Sequence, residues 1–347
     1  MDLKENEKLI YADMENLSYS GRIDFLDPKA PIFIFPGSSV SMLFKGSNLK
    51  ALIKNNHDYN DHNYNYLGCI LDGIEKIIFI SNDDSIQEIT LAEDLETNKT
   101  HEVILFKRQD GCHEFTFYGF IISKGDEVNL PYKKTSRYME FYGDSAASGE
   151  LIEGEYSNAW YSYAMMTARN LKANVNIIAQ SGIALLDNSG YFHAPKSIGM
   201  ESIYDKLHFN PSLGKVTDWN FKEYNPQVVV IDIGQYDAFP EDYMKINKDS
   251  EKSKFWKRHY KDFVLNIREK YPSAFIVLTT TITNHHSSWD RSIGIICREI
   301  NDENIVHFLY SNNGCGTSSF IKKKDAEQMA FELSIFLKGF GNKIWLK

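Results

Sequence analysis

The stretch Arg137-Tyr-Met-Glu-Phe-Tyr-Gly-Asp-Ser-Ala-Ala-Ser-Gly-Glu150 marks a change in the pattern of the chain. Residues 138–142 form a largely apolar and aromatic run that is typical of a buried strand, and this run stops at Gly143. Ser145 follows, with small residues and then a helical pattern behind it. Because open α/β sheets bind ligands at the carboxyl ends of their strands, the pattern predicts a serine hydroxyl at that edge.

Beyond this stretch the sequence alternates between strands and helices. The run 226–234 is almost uniformly apolar, as is typical of a central parallel strand. Helical periodicity covers 157–173, where Ser157 is the expected N-cap, and it returns at 255–270. The alternation predicts a three-layer α/β/α domain with a parallel sheet over residues 135–347.

The first part of the chain has a different pattern. Short strand-like runs follow one another with turn residues between them and no long helical segment. This spacing predicts a β-sandwich of the jelly-roll type over residues 1–130, with the domain boundary in the Pro-containing polar stretch 128–134. The runs predicted to be strands are 31–35, 39–44, 66–71, 75–80, 102–106 and 113–120.

Charge and hydropathy exclude some classes of partner. The net charge of −9 argues against nucleic acid or an anionic membrane, since both bind basic surfaces. No apolar run is long enough to span a membrane. The first residues are charged and no signal peptide follows, so the sequence as written predicts a cytoplasmic protein. Secretion is the alternative if the chain was trimmed.

The sequence indicates no cofactor and no metal site. The four cysteines are widely scattered without a C-x-x-C pair, so neither zinc-site spacing nor a disulfide framework is expected. His57, Asp61 and His62 lie together in one polar loop. A metal site there needs a further ligand on the same face and none is identifiable, so a solvated loop is the expectation.

The turn Gly143-Asp144-Ser145 after an apolar strand resembles the nucleophile segment of the SGNH (GDSL-type) hydrolases. An ordinary turn is the alternative, because Asp and Ser favour turns anyway. Longer matches favour the family. The stretch 218–234 is similar to the approach to the third motif in carbohydrate esterase family 2, and turns within 21–73 are similar to those of its preceding β-domain. The resemblance implies Ser145 as a nucleophile, no cofactor, and an acetylated sugar or oligosaccharide as the partner.

The resemblance also implies an oxyanion hole, which here departs from the family pattern. The turn Ser181-Gly182 takes the place of the family's second motif, whose backbone N–H points into the oxyanion site. The family's third motif is Gly-x-Asn-Asp, but the sequence from Gly234 to Asp237 places Tyr236 at the usual Asn position. A phenol can donate one hydrogen bond. Loss of an oxyanion donor typically costs about 100- to 1,000-fold in turnover.

A second departure concerns the general base. The family's last motif, Asp-x-x-His, lies between the final strand and the final helix, whereas the corresponding loop 311–325 contains no histidine. Thr317-Ser318-Ser319 most nearly takes its place. Without a base, a serine hydroxyl is a poor nucleophile at neutral pH.

A substitute base would have to come from another loop. His285 or His286, after the strand that ends near residue 281, is the candidate, with Asp290 or Asp237 as the orienting carboxylate. A solvated histidine pair is the alternative interpretation. Two histidines of the preceding insertion are weaker candidates: His193 and His208.

Two functional hypotheses follow. The first is a serine esterase that hydrolyses acetyl esters on sugars, and the intact nucleophile turn favours it. The second is a catalytically impaired relative that binds carbohydrate or another partner, and the missing Asn and His favour it.

Overall fold

The computed structural model describes residues 3–58, 64–133 and 135–346. The chain divides into two compact units, Met1–Lys134 with Leu207–Thr217, and Thr135–Lys206 with Asp218–Lys347. The segment Leu207–Thr217 therefore groups with the first unit, although the sequence pattern had assigned it to the second domain.

The first unit is built from antiparallel strands. Within the described residues they are β1 (Glu7–Tyr11), β2 (Leu17–Ser20), β3 (Ile23–Asp24), β4 (Ile32–Phe33), β5 (Ser39–Lys45), β6 (Leu49–His57), β7 (Asn65–Leu71), β8 (Ile74–Ile80), β9 (Gln87–Ala92), β10 (His101–Lys107), β11 (His113–Ser123) and β12 (Glu127–Asn129). One sheet has the order β3-β4-β11-β6-β9, with β1 also paired to β11. The other has the order β12-β5-β10-β7-β8, with β2 also paired to β5.

These two sheets share one hydrophobic core. Phe33 of β4 and Phe115 of β11 stack at 4.4 Å between ring centroids, and Val40 of β5 and Leu105 of β10 belong to the same buried cluster. Side chains of β6 alternate largely between buried and partly exposed positions, as expected for a strand with one face on a core. The predicted β-sandwich is confirmed. The sequence had not singled out β6 or β9, because Lys, Asn and Glu interrupt their apolar runs.

The second unit alternates strands and helices. Within the described residues they are β13 (Tyr138–Gly143), α1 (Ser145–Ser148), α2 (Tyr163–Leu171), β14 (Asn174–Ala179), α3 (Met200–Ile203), β15 (Val228–Asp232), α4 (Tyr243–Ile246), α5 (Glu251–Lys270), β16 (Phe275–Thr279), α6 (Ser288–Ile300), β17 (Ile305–His307) and α7 (Lys323–Gly339). Short 3₁₀ helices lie at Ala159–Tyr161, Phe221–Glu223, Gln235–Ala238 and Gly341–Trp345.

The sheet of the second unit is parallel throughout, with the order β14-β13-β15-β16-β17. Successive residues of β13 contact helices on opposite faces. The Phe141 ring meets Tyr163 of α2 at 5.9 Å, while the Tyr142 ring meets Phe263 of α5 at 5.9 Å. Both faces of the central strands are therefore covered, which explains their uniformly apolar sequences. The predicted α/β/α domain with a parallel sheet is confirmed.

The start of α2 differs from the prediction. Ser162, not Ser157, is its N-cap, and the Ser162 hydroxyl accepts a hydrogen bond from the Met165 backbone N–H at 3.2 Å. The preceding 3₁₀ turn is capped separately by Asn158. A local pattern of small and polar residues did not distinguish the two serines, because both precede apolar periodicity.

The segment Leu207–Thr217 is held in the first unit by a buried ring and a paired histidine. Phe209 stacks on Phe35 at 5.0 Å between centroids. The His208 ring lies between two carboxylates, with Nδ1 2.9 Å from Glu114 and Nε2 3.0 Å from Asp24. Burial disfavours the charged ring, but hydrogen bonds and charge from both carboxylates outweigh it and raise the pKa of His208 to about 9. His208 therefore has a structural role and is not a candidate base for Ser145.

We expect His208→Gln to destabilise the protein in a pH-dependent way. Because the folded-state pKa of His208 lies above its unfolded value, the stabilisation is fully present below about pH 6.5 and is lost as pH rises through about 9. The free energy of unfolding should fall by about 1–2 kcal/mol at pH 6, allowing for the partial exposure of the ring. Thermal unfolding from pH 6 to pH 9.5 measures this difference.

The control is His259→Gln, which breaks a more exposed pair with Glu201 at 2.7 Å and should cost less at pH 6. A deficit for His208→Gln that stays constant across this pH range would contradict the charged-histidine assignment.

Two negative findings hold for the described ranges. None of their helices is both long and apolar enough to cross a bilayer. They contain no group of three or more His, Cys, Asp or Glu side chains arranged to hold a metal ion. Of the loop considered above, Asp61 and His62 lie outside the described residues.

Candidate active site

Ser145 lies on a tight turn at the carboxyl end of β13. The strand ends at Gly143, and Ser145 is the first residue of α1. Asp144 is the N-cap of this short helix, and its Oδ1 accepts a hydrogen bond from the Ala146 backbone N–H at 3.0 Å. The cap satisfies a helix-terminal donor and fixes the turn, so the position of the serine follows from the local sequence.

Two groups lie within hydrogen-bond distance of the Ser145 hydroxyl oxygen. The Gly182 backbone N–H donates to Ser145 Oγ at 3.0 Å, and the Tyr236 hydroxyl oxygen lies 3.0 Å from the same Oγ. In the described part of the chain these two groups are the hydrogen-bond partners of that oxygen. The structure therefore brings together the three residues that the sequence had linked, Ser145, Gly182 and Tyr236. Their catalytic roles stay predictions.

Gly182 needs to be glycine for two reasons. Its φ of +69° lies in the left-handed region that L-residues rarely adopt. A Cβ at this position would also approach Tyr191 Cβ to 3.0 Å. The turn that aims this N–H at Ser145 therefore depends on the absence of a side chain.

Tyr236 replaces an amide donor with a phenol. Burial raises the pKa of Tyr236, so its hydroxyl keeps the proton at neutral pH and can donate it in a hydrogen bond. The ring is fixed by an edge contact with Tyr191, whose centroid lies 5.9 Å away. The phenol can therefore occupy the position of a third oxyanion donor. It cannot act as a general base while it keeps that proton.

Gln235 links the turns that follow three neighbouring strands. Its Nε2 donates to Asp144 Oδ2 at 2.6 Å, and its Oε1 accepts from the Thr281 hydroxyl at 2.8 Å and the Thr281 N–H at 3.2 Å. Burial raises the pKa of Asp144 to about 7, and the hydrogen bonds from Ala146 and Gln235 oppose that rise. These bonds hold the amide between Asp144 and Thr281, so Gln235 supports the nucleophile turn.

Asp237 fixes the loop after Gly182. Its carboxylate accepts hydrogen bonds from the backbone N–H groups of Leu185 at 2.8 Å and Leu186 at 3.0 Å. Burial raises the pKa of Asp237 to about 7, against the effect of these bonds. This carboxylate positions backbone and does not orient a histidine, contrary to one of the two options taken from the sequence.

The structure does not bring His285 to Ser145. The His285 side chain is 2% exposed, with Nδ1 2.7 Å from the Thr283 carbonyl and Nε2 3.1 Å from Asp290 Oδ1. Burial lowers the pKa of His285, but the hydrogen bond and charge of Asp290 outweigh burial and raise it. The ring is hydrogen-bonded to Thr283 and to the Asp290 carboxylate, and none of its hydrogen bonds within the described residues reaches Ser145.

His286 does not take the role either. Its Nδ1 accepts a weak hydrogen bond from the Ser288 N–H at 3.4 Å, and it does not contact Ser145 in the described part of the chain. The expectation that one of the two histidines replaces the base therefore finds no geometric support. Asp290, five residues further on and one of the two orienting carboxylates suggested by the sequence, does hold the His285 ring, but the ring is held away from Ser145.

Ser145 opens into a cavity of about 450 Å³ within the second unit. Apart from the two tyrosines, none of the described side chains that line it is titratable. The lining residues are Ser145, Ala146, Tyr191, Gln235, Tyr236, Ala238, Phe239, Thr283, Asn284, Ser318, Ser319, Phe320 and Ile321. The loop that lacks the expected histidine therefore contributes Ser318 and Ser319 to the cavity, and not Thr317.

Three cavity residues were missed by the sequence reasoning. Tyr191 and Phe239 stack at 4.0 Å between ring centroids beside Tyr236. Phe320, in the loop 311–325, also lines the cavity. No motif surrounds Tyr191 or Phe320, so the sequence carried no signal for them. Phe239 lies two residues after the segment 234–237 and was detectable by proximity.

Residues 19–131 match the family described as Carbohydrate esterase 2 N-terminal. The chain is 32% identical over 274 residues to the cellulase/esterase CelE of Acetivibrio thermocellus, a match that covers 76% of this chain and 31% of CelE. The chain thus spans about a third of that relative's length. It is 24% identical over 289 residues to an acetylxylan esterase / glucomannan deacetylase of Cellvibrio japonicus, covering 80% of this chain and 74% of that protein.

Solved structures extend the similarity to both units. A family two carbohydrate esterase from Clostridium thermocellum in complex with cellohexaose aligns with a TM-score of 0.76 at 26% identity, covering 95% of this chain and 100% of that one. The resemblance to carbohydrate esterase family 2 and to the SGNH type of fold is confirmed. The matched proteins are esterases, and they give no support to the alternative of a catalytically impaired binding relative.

Proposed function

We propose that this chain, which resembles the carbohydrate esterases of family 2 in both of its units, is an esterase that removes acetyl groups from carbohydrates. The observation that carries the proposal is the placement of Ser145 Oγ at 3.0 Å from both the Gly182 nitrogen and the Tyr236 hydroxyl. A nucleophile and two hydrogen-bond donors within one small cavity are the elements that acyl transfer requires.

Ser145 is the nucleophile in this proposal. Its Oγ attacks the acetyl carbonyl carbon, and a negative charge develops on the carbonyl oxygen. The backbone N–H groups of Ser145 and Gly182 and the phenol of Tyr236 stabilise that charge by hydrogen bonding. The sugar hydroxyl then leaves with a proton, and water hydrolyses the acetyl-enzyme to acetate and free serine.

The proton of the Ser145 hydroxyl has no strong acceptor among the described cavity residues. It must pass to water or to the departing sugar oxygen. General-base assistance is typically worth about 100- to 10,000-fold, so the proposed enzyme turns over slowly by comparison with a relative that has the histidine. The neutral cavity is suited to a carbohydrate, because it combines aromatic faces with hydroxyl and amide groups.

A carbohydrate substrate is supported by the relatives. The Cellvibrio japonicus protein is an acetylxylan esterase / glucomannan deacetylase, and the Clostridium thermocellum esterase was solved with cellohexaose. That the bond cleaved in this substrate is an acetyl ester is a further part of our proposal.

Ser145→Ala tests the proposed function. We expect slow wild-type hydrolysis of p-nitrophenyl acetate and of an acetylated xylo-oligosaccharide, and we expect the variant to lose it, because the attacking oxygen is gone. Acetate release measures both reactions. Ser287→Ala, an exposed serine whose hydroxyl accepts from Arg291, is the matched control. Hydrolysis that survives Ser145→Ala would show that another residue is the nucleophile. Sugar binding by a wild type that cleaves no ester would instead favour the non-catalytic alternative.

A further inference from the structure

Phe239 forms part of the wall of two cavities. One is the cavity of Ser145, and the other is a neighbouring cavity of about 530 Å³ that belongs to the same unit. Tyr191 lines the first of them and stacks on Phe239 at 4.0 Å between ring centroids, with the planes 26° apart. A pair of stacked rings therefore stands at the boundary between the catalytic serine and a second space of similar size.

Two aromatic side chains that line this second cavity are each packed against another ring, and part of each remains accessible. Phe239 is 39% exposed although Tyr191 covers one of its faces. Phe255 of α5 is 45% exposed, and its ring lies 4.1 Å from the ring of His259, one helical turn further along. Rigid and partly exposed rings bind the apolar faces of ring-shaped ligands at little cost in side-chain entropy.

Polar groups accompany these rings. Glu241 and Lys252 form an exposed ion pair at the cavity, and Glu251 lines it as well. The Tyr243 hydroxyl, also from a lining residue, is buried and has no hydrogen-bond partner in the described part of the chain. A buried hydroxyl without a partner costs free energy that a ligand hydroxyl can recover. Three acidic residues line the cavity against one lysine, and this excess also disfavours an anionic ligand: they are Asp237, Glu241 and Glu251.

From these observations we propose that the second cavity is a subsite for a neutral sugar residue, adjacent to the acetylated residue of the same oligosaccharide. The sugar ring packs between Phe239 and Phe255, while its hydroxyls bond with Glu241, Lys252 and Tyr243. This inference rests on the proposed function, because it takes the cavity of Ser145 as the place of the acetylated residue. The substrate class is then an uncharged oligosaccharide of two or more residues, and a single acetylated sugar uses half of the site.

The test measures binding apart from hydrolysis. In a Ser145→Ala background, the dissociation constants of xylotetraose, cellotetraose and their monosaccharides are determined by NMR titration. We expect at least one tetrasaccharide to bind about 10-fold more tightly than its monosaccharide. Addition of Phe255→Ala should remove most of that difference by weakening the tetrasaccharide about 10-fold. The matched control is Phe331→Ala, a phenylalanine of α7 that is 58% exposed and lines neither cavity, and it should change neither constant.

The subsite would be overturned if affinity did not depend on chain length, or if Phe255→Ala weakened the tetrasaccharide and the monosaccharide equally. It would also be overturned if phenol bound in a Phe255-dependent way while neither tetrasaccharide bound. Hydrolysis of an acetylated sugar by the wild type is measured in parallel. Its absence, together with Phe255-dependent tetrasaccharide binding, would reject the proposed esterase function while supporting the subsite. Hydrolysis by a wild type whose affinity does not depend on chain length would support the esterase function and reject the subsite.

Discussion

Ser318→His or Ser319→His is expected to raise the rate of ester hydrolysis by about 100-fold or more, because a general base in reach of the nucleophile is worth that much. Both serines line the cavity that contains Ser145, in the loop where family 2 carbohydrate esterases carry their histidine. Among the described residues that line the cavity there is no carboxylate that would hold a new ring away from Ser145 in the manner of Asp290. At least one of the two positions should direct a ring nitrogen to the Ser145 hydroxyl.

Initial rates with p-nitrophenyl acetate between pH 5 and pH 9 measure the effect. The gain should appear as pH rises through about 6.5, since the histidine must be neutral to accept the proton. Thr317→His is the matched control, because Thr317 does not line the cavity and a histidine there should give no gain. Adding Ser145→Ala should abolish the gain. If neither serine position gives an increase, a missing base is not what limits the reaction.

Gln235→Glu is expected to be the most destabilising change of one atom in the active site. It replaces the amide that donates to Asp144 Oδ2 at 2.6 Å with a second carboxyl group, in a buried position. At pH 8 the cost should reach roughly 3–5 kcal/mol, as for a buried charge without compensation. One of the two carboxyls can bind a proton in the folded state, which raises its pKa above the unfolded value. The variant is therefore closest to the wild type near pH 4, and it loses stability as pH rises above the unfolded-state pKa of about 4.3, until the raised folded-state pKa is passed.

Thermal unfolding of Gln235→Glu and wild type at pH 5 and pH 8 tests this expectation. The matched control is Gln328→Glu on α7, where an exposed amide donates to Glu332 at 2.8 Å. The same replacement there creates an exposed like-charge pair and should cost about 0.2–0.5 kcal/mol. A Gln235→Glu variant as stable as Gln328→Glu at pH 8 would contradict the bridge between Asp144 and Thr281.

How far the sequence predicted the site depended on the range of the interactions involved. The position of Ser145 follows from a buried strand, a glycine and a cap within a few residues, so the local pattern was sufficient. Gly182 and Tyr236 were placed because they follow neighbouring parallel strands, whose carboxyl ends meet at one edge. These predictions needed strand order and direction and no side-chain conformations.

The parts that the sequence could not resolve depended on side-chain partners. His285 follows the correct strand, but its ring turns to Asp290, and nothing in the sequence ranks that carboxylate above the Ser145 hydroxyl. The cavity beside Phe239 arises from residues far apart in the sequence, so periodicity gave no indication of it.

The division of the first unit into two pieces of chain has a consequence for synthesis on the ribosome. The sandwich strands are complete by Asn129, but Phe209, which packs on Phe35, and His208, which pairs with Asp24 and Glu114, are translated roughly eighty residues later. Until then the nascent sandwich exposes the Phe35 ring and leaves two neighbouring carboxylates without their cation. Its final stability is reached after β13, β14 and the nucleophile turn have already emerged. Recombination that replaced only the N-terminal part of the gene would separate Met1–Lys134 from Leu207–Thr217, which complete one unit. The two units are therefore expected to be inherited together.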